Sequence, residues 1–544
     1  MMPWPTLCKV FAVVAVVIIF FMVVLVNQLD IKSIPLGLAE LPRSLHFLPT
    51  STESPASVPP SGCKCSRAWR VPDWITSFMN ISVPLTNATT AQELKERHPN
   101  LAIELLFGAK ASKSQCSLLP NIKSIDWDNT LWQRATLDTN ETFLLYSAFL
   151  DPGTDGRASL RLLGVSRSKA PPLAWCHIWF SSDAPPLPVR VTSVDYLDYQ
   201  NRNSDRQMPY LLSCALPPDT SHGVPLAVSL VSEPCAPANN LLKVSGARER
   251  LVSAYRSHVA PPNPTKLVRG WAAAVCGPAL FYYHEDFSLR LVEWLELLRA
   301  QGFSQVFLYV TDVHPNINKV LRHYTQEGFV QVTDYTYPPP YVNDPNLRRL
   351  WTLVERIKMF AQENVYFTDC VLRHMHQYRF LAHFDPDEVP ILPRHENFTH
   401  FLDDFIASIR GKAPAGFRLQ WNYFYSNIGP GREAADLPDS LWALRHTHRQ
   451  AEHMKRPGSN KFKPIFDMNV VRGVFSHGPV LCTKGRCSHN NLRNVPPEEA
   501  FLGHFKLNCD GQCNQTLASD PTLLKYRKQV TTRALKVMAT LNLV

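Results

Sequence analysis

Hydrophobic and polar positions change their rhythm near residue 262 of the 544-residue chain. After that point, short apolar runs alternate with longer segments in which apolar residues recur every three or four positions, the spacing of one helix face. Leu289, Val292 and Leu295 follow this spacing. The alternation of strands and helices predicts an α/β fold over residues 263–544, with a doubly wound, mostly parallel sheet.

The predicted elements place two acidic residues at one edge of this sheet. Strands are predicted at 271–278, 306–310, 329–333 and 380–384, and helices at 286–301, 318–327 and 347–373. In doubly wound sheets, ligands bind beyond the carboxyl ends of the strands. Asp312 and Asp385 each follow a predicted strand, and we therefore expect Asp312 to contribute to a ligand-binding site.

Three carboxylates, Asp385, Asp387 and Glu388, end the apolar run 380–384. Clustered negative charge at the end of a buried strand is costly without a counter-ion. Asp385 and Asp387 are alternate residues, and they would share one face of an extended chain. They are predicted to bind Mn²⁺ or Mg²⁺, with Glu388 orienting the site from behind. The alternative is a turn in which the acids are only solvated.

The part of the chain before residue 263 has a different pattern. Short apolar segments at 142–150, 158–165, 173–180 and 224–231 are bounded by Pro, Gly, Asp and Ser. This spacing is typical of a β-sandwich. Residues 63–262 are therefore predicted to form a β-rich, sandwich-like accessory domain, with a boundary at the proline-rich run 261–265.

The amino terminus predicts attachment to a membrane. Residues 10–26 form an unbroken apolar run after a short tail, 1–9, that contains Lys9. A cleaved signal peptide is the alternative, but no small-residue cleavage site ends the run. The charge of Lys9 predicts a cytosolic tail and a lumenal body, as in a type II signal-anchored protein of the Golgi membrane. Residues 27–62, rich in Pro, Ser and Thr, are predicted to be a stem.

Sequons, cysteines and charge agree with a lumenal protein. Twelve of the 13 cysteines follow the apolar run, which favours disulfides, with Cys482–Cys487 and Cys509–Cys513 as plausible local pairs. A net charge of +10, without a basic block, does not favour nucleic acid as a partner. Acceptor sites for N-glycosylation are predicted at Asn80, Asn87, Asn140, Asn397 and Asn514.

Several ordered segments resemble one known family. They are CGPALF from Cys276, LVEWLE from Leu291, GFSQVFLY from Gly302, YTQEGFV from Tyr324, DCVLR from Asp369 and RFLAHFDPDE from Arg379. Together they are similar to the family 92 glycosyltransferases. The resemblance implies a GT-A fold, a UDP-galactose donor, Mn²⁺ and inverting transfer that forms a β1,4-galactosyl linkage on a glycan. Asp385 and Asp387 match the family's metal-binding acids.

The sequence offers further candidate residues for such a site. Inverting transfer needs a carboxylate base, for which Glu433 and Asp436 are chosen from several acids that no spacing separates. His477 is the first choice for a histidine metal ligand and His504 the alternative. The remaining base candidates and the lysines predicted to contact the diphosphate are Asp403, Asp404, Asp439, Glu498, Glu499, Lys461, Lys463 and Lys506.

Three functions are compatible with these observations. The leading hypothesis is a Golgi enzyme that transfers galactose to an N-glycan or another glycoconjugate. The second is the same fold with another UDP-sugar donor, such as UDP-GalNAc or UDP-glucose. The third is a catalytically silent glycan-binding protein, which the intact Asp385 and Asp387 disfavour. The acceptor and the oligomeric state do not follow from the sequence.

Overall fold

The computed structural model describes residues 91–107, 119–137, 141–153, 157–217, 223–245, 273–411, 414–451, 461–487, 491–506, 508 and 517–544. The predicted tail, membrane span, stem and Cys509–Cys513 pair lie outside these residues, as do all the predicted glycosylation sites except Asn397. Within the described ranges, no helix combines the length and the apolar character that crossing a membrane requires.

The amino-terminal part is an eight-stranded sheet that closes on itself. Two short helices precede it, α1 (Ala91–Arg97) and α2 (Ile103–Phe107). Its strands are β1 (Gln133–Thr136), β2 (Thr142–Asp151), β3 (Ser159–Ser166), β4 (Trp175–Trp179), β5 (Leu187–Tyr196), β6 (Met208–Ala215), β7 (Ala227–Val231) and β8 (Leu242–Ser245). The order is β1-β2-β3-β6-β5-β4-β7-β8, and β8 pairs back with β2. The four predicted strands correspond to β2, β3, β4 and β7. In a sandwich the edges of the two sheets stay separate, whereas here the β2–β8 pairing joins them. The predicted sandwich is therefore a closed sheet.

The second part is a mixed sheet whose first half is parallel. Its main path is β11 (Val330–Asp334), β10 (Gln305–Val310), β9 (Ala273–Leu280), β12 (Phe380–His383), β16 (Phe462–Asp467), β14 (Gly416–Tyr425), β15 (His448–Gln450) and β22 (Leu517–Ser519). The first four strands are mutually parallel, as predicted. The sheet then changes direction, because β16 is antiparallel to both β12 and β14.

Three further strands extend the mixed sheet, and three others form a small sheet. Beside β14 lie β20 (Leu492–Asn494) and β21 (Phe501–Lys506), both parallel to it, and β13 (Glu388–Ile391) pairs antiparallel with β21. The small sheet contains β17 (Val471–Phe475), β18 (Gly478–Cys482) and β19 (Gly485–Arg486). The mostly parallel sheet predicted for residues 263–544 is therefore found only in the half that runs from β11 to β12.

The helices of this part are α3 (Ser288–Ala300), α4 (Pro315–Gln326), α5 (Pro345–Val354), α6 (Arg356–His374), α7 (Phe398–Ser408) and α8 (Arg527–Thr540). The single helix predicted over 347–373 is two helices. Glu355 separates them, because its φ of −102° and ψ of 48° are not helical. Gly302 ends α3 at a φ of +87°, a conformation that favours glycine.

The two parts share a hydrophobic core. Trp132 and Tyr146 of the first part belong to the same buried cluster as Tyr309 and Phe367 of the second. Disulfides join Cys176 to Cys214, Cys276 to Cys370 and Cys482 to Cys487. The predicted Cys482–Cys487 pair is thereby confirmed, and the Cys276–Cys370 bond ties β9 to α6 beneath the parallel half of the sheet.

Candidate active site

The acidic segment forms a tight turn between β12 and β13. The Glu388 amide donates to the Asp385 carbonyl at 2.9 Å, and the Asp385 amide donates to Glu388 Oε2 at 2.9 Å. The indole Nε1 of Trp294, on α3, donates to the Glu388 carbonyl at 2.8 Å. Glu388 is fully buried. Its carboxylate therefore fixes the turn from the protein side. The role predicted for Glu388 in orienting a bound ligand stays a prediction.

Asp385 forms an ion pair with Lys463, a residue of β16. Lys463 Nζ lies 2.7 Å from Asp385 Oδ2 and 3.5 Å from Glu388 Oε2, and Lys463 is only 3% exposed. Burial lowers the pKa of Lys463, but the two carboxylates outweigh this effect and raise it. Burial also raises the pKa of Glu388 well above its usual range. The Lys463–Asp385 ion pair, with the buried Glu388 behind it, forms this side of the site.

Asp387 faces a different partner, His504 on β21. Strand pairing places His504 opposite Glu388 and beside Tyr423, and its Nε2 lies 3.2 Å from Asp387 Oδ2. Burial acts to raise the pKa of Asp387, but His504 and Lys463 together lower it below the usual value. Asp387 is therefore held as a carboxylate. The two acids of the motif have separate partners, a lysine for the first and a histidine for the second.

His477, the first choice for a histidine ligand, has another contact. Its Nδ1 lies 3.0 Å from the carbonyl oxygen of Phe462, and its ring packs against those of Trp421 and Phe462. Burial and the nearby Lys463 lower the pKa of His477 to about 4. A neutral His477 therefore lies beside the site, while His504 is the histidine that meets a carboxylate of the motif.

The residues that fit a divalent cation best are Asp387 and His504. The described ranges contain no cluster of three or more His, Cys, Asp or Glu side chains arranged to hold a metal. Mn²⁺ and Mg²⁺ often take few protein ligands and complete their coordination with water and phosphate. A carboxylate oxygen and an imidazole nitrogen 3.2 Å apart suit such a cation. Asp385, already paired with Lys463, fits it less well.

Asp312 lies at the same edge of the sheet. It follows β10, which is parallel to β9, and β9 is in turn parallel to β12. Its Oδ2 accepts a hydrogen bond from Arg348 of α5 at 2.8 Å, and Arg348 is 2% exposed. Sequence reasoning did not identify this arginine, because it lies 36 residues after Asp312 and beyond another strand.

The two acids chosen as the catalytic base lie on the exposed surface. Glu433 accepts hydrogen bonds from Thr447 and Ser519 at 3.0 and 2.9 Å, and Asp436 is ion-paired with Arg527. Hydrogen bonds from the backbone and these hydroxyls lower the pKa of Glu433, which weakens it as a base. The base assignment stays a prediction.

Three of the other base candidates also form ion pairs away from the acidic turn. Asp439 pairs with Arg445, Asp404 with His395 at 3.2 Å and Glu499 with Arg394. None of these pairs includes Asp385 or Asp387.

The predicted lysines line an aromatic strand. The rings of Trp421, Tyr423 and Tyr425 follow one another along β14 at 6.4 and 6.3 Å. Lys506 lies 4.2 Å and Lys461 5.7 Å from the Tyr423 ring centre. Lys463, the third lysine proposed for the diphosphate, contacts the acidic motif through Asp385 and Glu388.

Glu363 of α6 is a candidate that sequence reasoning missed. It is half-buried, and burial together with the Asp385 carboxylate raises its pKa to about 8. The available signal was its position between Gln362 and Asn364, a polar run flanked by the apolar residues 359–361 and 365–367. Gln362 and Asn364 are themselves buried.

Curated proteins and solved structures are compared with the chain first. No curated protein matches at a significant level. Among solved structures, the crystal structure of S. aureus TarS 1-349 is 15% identical over 36% of this chain and 47% of that chain, with a TM-score of 0.19. A mycobacterial protein is 10% identical over 51% of this chain and 80% of that one, also with a TM-score of 0.19. This chain thus spans about half of the TarS chain, and scores this low support no structural argument.

The family comparison is more informative. The sequence model of glycosyltransferase family 92 matches residues 272–537. The match contains the whole acidic turn, β16 with Lys463 and β21 with His504. Residues 272–537, just under half of the chain, thus support its assignment to glycosyltransferase family 92.

Proposed function

We propose that this glycosyltransferase moves galactose from UDP-galactose to a hydroxyl of a glycoprotein glycan, with inversion to a β1,4 linkage and with a divalent cation. The observation that carries the proposal is the divided acidic turn, in which Asp385 meets Lys463 at 2.7 Å and Asp387 meets His504 at 3.2 Å. It lies at the carboxyl end of β12, the edge at which such sheets bind ligands.

Each residue of the turn has a distinct role in the proposal. Asp387 and His504 hold Mn²⁺ or Mg²⁺, and the bound cation neutralises charge on the leaving diphosphate. Lys463 holds Asp385 in place through their ion pair, and its ammonium adds positive charge to the donor site. Glu388 fixes the turn. Asp312, anchored by Arg348, contributes to donor binding at the neighbouring strand.

A carboxylate must accept the proton of the acceptor hydroxyl during inversion. Glu433 and Asp436 remain the proposed candidates. The lowered pKa of Glu433 favours Asp436 between the two. Location in the Golgi membrane, through the span at 10–26, is likewise part of the proposal.

The test uses the full-length chain and measures UDP release with UDP-galactose, UDP-GalNAc or UDP-glucose in the presence of a glycan panel. We expect release with UDP-galactose, loss in EDTA and recovery with Mn²⁺. Asp387→Asn should reduce activity about 100-fold or more, while the exposed Asp183→Asn control should not change it. Release with another UDP-sugar alone would assign a different donor. No release with any donor, combined with retained glycan binding, would favour the silent glycan-binding alternative.

A measurement of Mn²⁺ binding to variants distinguishes the proposed metal ligands from the other residues of the site. Electron paramagnetic resonance of free Mn²⁺ should show weaker binding for Asp387→Asn and for His504→Gln than for the unaltered chain. His477→Gln should bind Mn²⁺ normally, since its Nδ1 contacts a backbone carbonyl. Weak binding by His477→Gln and normal binding by His504→Gln would reverse the assignment.

A further inference from the structure

Helix α5 exposes several large apolar side chains and buries two polar ones. Leu347, Leu350 and Val354, spaced by three and four residues on one face, are 52%, 56% and 81% exposed. On the other side, Arg348 and Thr352 are 2% and 5% exposed. A surface helix ordinarily has the reverse arrangement.

The exposed apolar surface extends beyond the helix. Leu353, Ile357 at the start of α6 and Val342 in the preceding loop are 49%, 52% and 44% exposed. Single exposed apolar residues are common, but a contiguous group marks a surface that contacts something else. We call this group the α5 ridge, and it consists of Val342, Leu347, Leu350, Leu353, Val354 and Ile357.

Contacts on the inner side fix the orientation of α5. Arg348 donates to Asp312 and to the Asn343 carbonyl, at 2.8 and 2.9 Å. The Trp351 indole donates to the Val342 carbonyl at 3.0 Å and stacks on Tyr341 with ring centres 4.8 Å apart. Turning the helix to bury its leucines would break the ion pair with Asp312. The exposure of the ridge therefore follows from the packing beneath it.

Two arginines beside the ridge are available to bind anions. Arg349 and Arg356 are exposed, and in the described part of the chain neither has a carboxylate within ion-pair distance. Lys358, in contrast, pairs with Glu355 at 3.1 Å. Guanidinium groups bind phosphate oxygens in a two-pronged geometry. Exposed leucines next to unpaired arginines are the combination by which helices bind a phospholipid surface.

We propose that the α5 ridge rests on the surface of a phospholipid bilayer, with its leucines among the acyl chains and Arg349 and Arg356 at the phosphates. The predicted span at 10–26 supports this partner. Residues 27–90, at about 3.3 Å each when extended, are long enough to let the body fold back onto the membrane. The proposal concerns a surface and does not depend on the donor or the acceptor.

The test is photolabelling of the full-length chain in phosphatidylcholine vesicles that contain a diazirine on the acyl chain. Peptides covering 342–357 should carry lipid adducts, and peptides around Leu173, which is 51% exposed, should not. The predicted span at 10–26 provides an internal positive control. Labelled span peptides with an unlabelled 342–357 segment would overturn the proposal.

A substitution adds a second comparison. Leu350→Asp should reduce the adducts on 342–357 about tenfold or more, because a carboxylate is expelled from the acyl region. The matched control Leu173→Asp, with similar exposure, should leave them unchanged. If the segment stays free of lipid but crosslinks to a second copy or to another protein, that partner covers the ridge and the membrane proposal is wrong.

Discussion

Replacement of Lys463 by methionine tests whether the divided acidic turn depends on its buried ammonium. The substitution keeps the length of the side chain and removes its charge. Asp385 would lose its counter-ion at 2.7 Å, and Glu388 would lose its neighbour at 3.5 Å. Asp387, whose pKa is also lowered by the Lys463 charge, would keep its contact with His504.

The magnitude follows from the exposure of the two partners. Breaking a buried ion pair costs about 3–5 kcal/mol. Lys463 is 4% exposed at its side chain, but Asp385 is 31% exposed, and water can solvate it after the change. Burial keeps Glu388 neutral, so it adds little charge repulsion. We therefore expect Lys463→Met to lower the free energy of unfolding by about 2–3 kcal/mol.

The assay is equilibrium denaturation followed by circular dichroism, with thermal melting in parallel. A loss of about 2–3 kcal/mol should lower Tm by roughly 4–5 °C in a domain of about 270 residues. The double variant Lys463→Met with Asp385→Asn should lose less than the sum of the single variants, with a coupling of about 1–2 kcal/mol. Lys461→Met, two residues away on the chain, serves as the matched control and should cost about 1 kcal/mol or less.

Two results would refute this reasoning. The first is a Lys463→Met variant whose stability lies within about 0.5 kcal/mol of the unaltered chain, the range of ordinary surface substitutions. The second is strict additivity of the two single changes, which would mean that Lys463 and Asp385 do not interact energetically. Either result would also remove the support that Lys463 gives to the proposed donor site.

Three further predictions concern stability away from the turn. Glu293→Ala removes a buried carboxylate that accepts three backbone hydrogen bonds from residues 442–444, at 2.5–2.9 Å, and should cost about 3–5 kcal/mol by denaturation. Gly302→Ala should lower the free energy of unfolding more than Gly328→Ala does, by about 1–3 kcal/mol. Both glycines have positive φ, but of the two only Gly302 would place a Cβ against Asn397, at 2.1 Å. Equal losses of stability would refute this. Burial lowers the pKa of His374 to about 3, so an unfolded chain binds a proton below pH 6.5 that the native state does not. Stability should therefore fall as pH drops from 6.5, by about 2 kcal/mol at pH 5, and His374→Gln should flatten this slope in Tm measurements.

Local patterns predicted the parallel half of the second sheet and the location of its acidic turn. The apolar run before Asp385 is β12, and the three-residue spacing after Asp286 is α3. These elements follow from the periodicity of a short window, which a single sequence contains. The break at Glu355 was missed because it is a change of backbone angle inside a continuous helical pattern.

The partners of the two acids were harder to predict, because they depend on contacts between distant segments. Lys463 lies 78 residues after Asp385, and His504 lies 117 residues after Asp387. Each reaches the turn through strand pairing, on β16 and β21, which no local period encodes. The same reason explains why closure of the first sheet by β2 and β8 was not predicted.

Asn397 connects folding to glycosylation. As the residue before α7, it accepts hydrogen bonds from the amides of Thr399 and His400 through Oδ1, while its Nδ2 lies 2.1 Å from the position that a Cβ on Gly302 would take. A glycan would be attached to this same nitrogen. An attached sugar would therefore compete with the position of this nitrogen beside Gly302. If the chain enters the secretory lumen as proposed, the order of folding and modification decides which of the two forms. Rapid docking of α7 onto the end of α3 protects Asn397 from modification, whereas slow docking leaves it available.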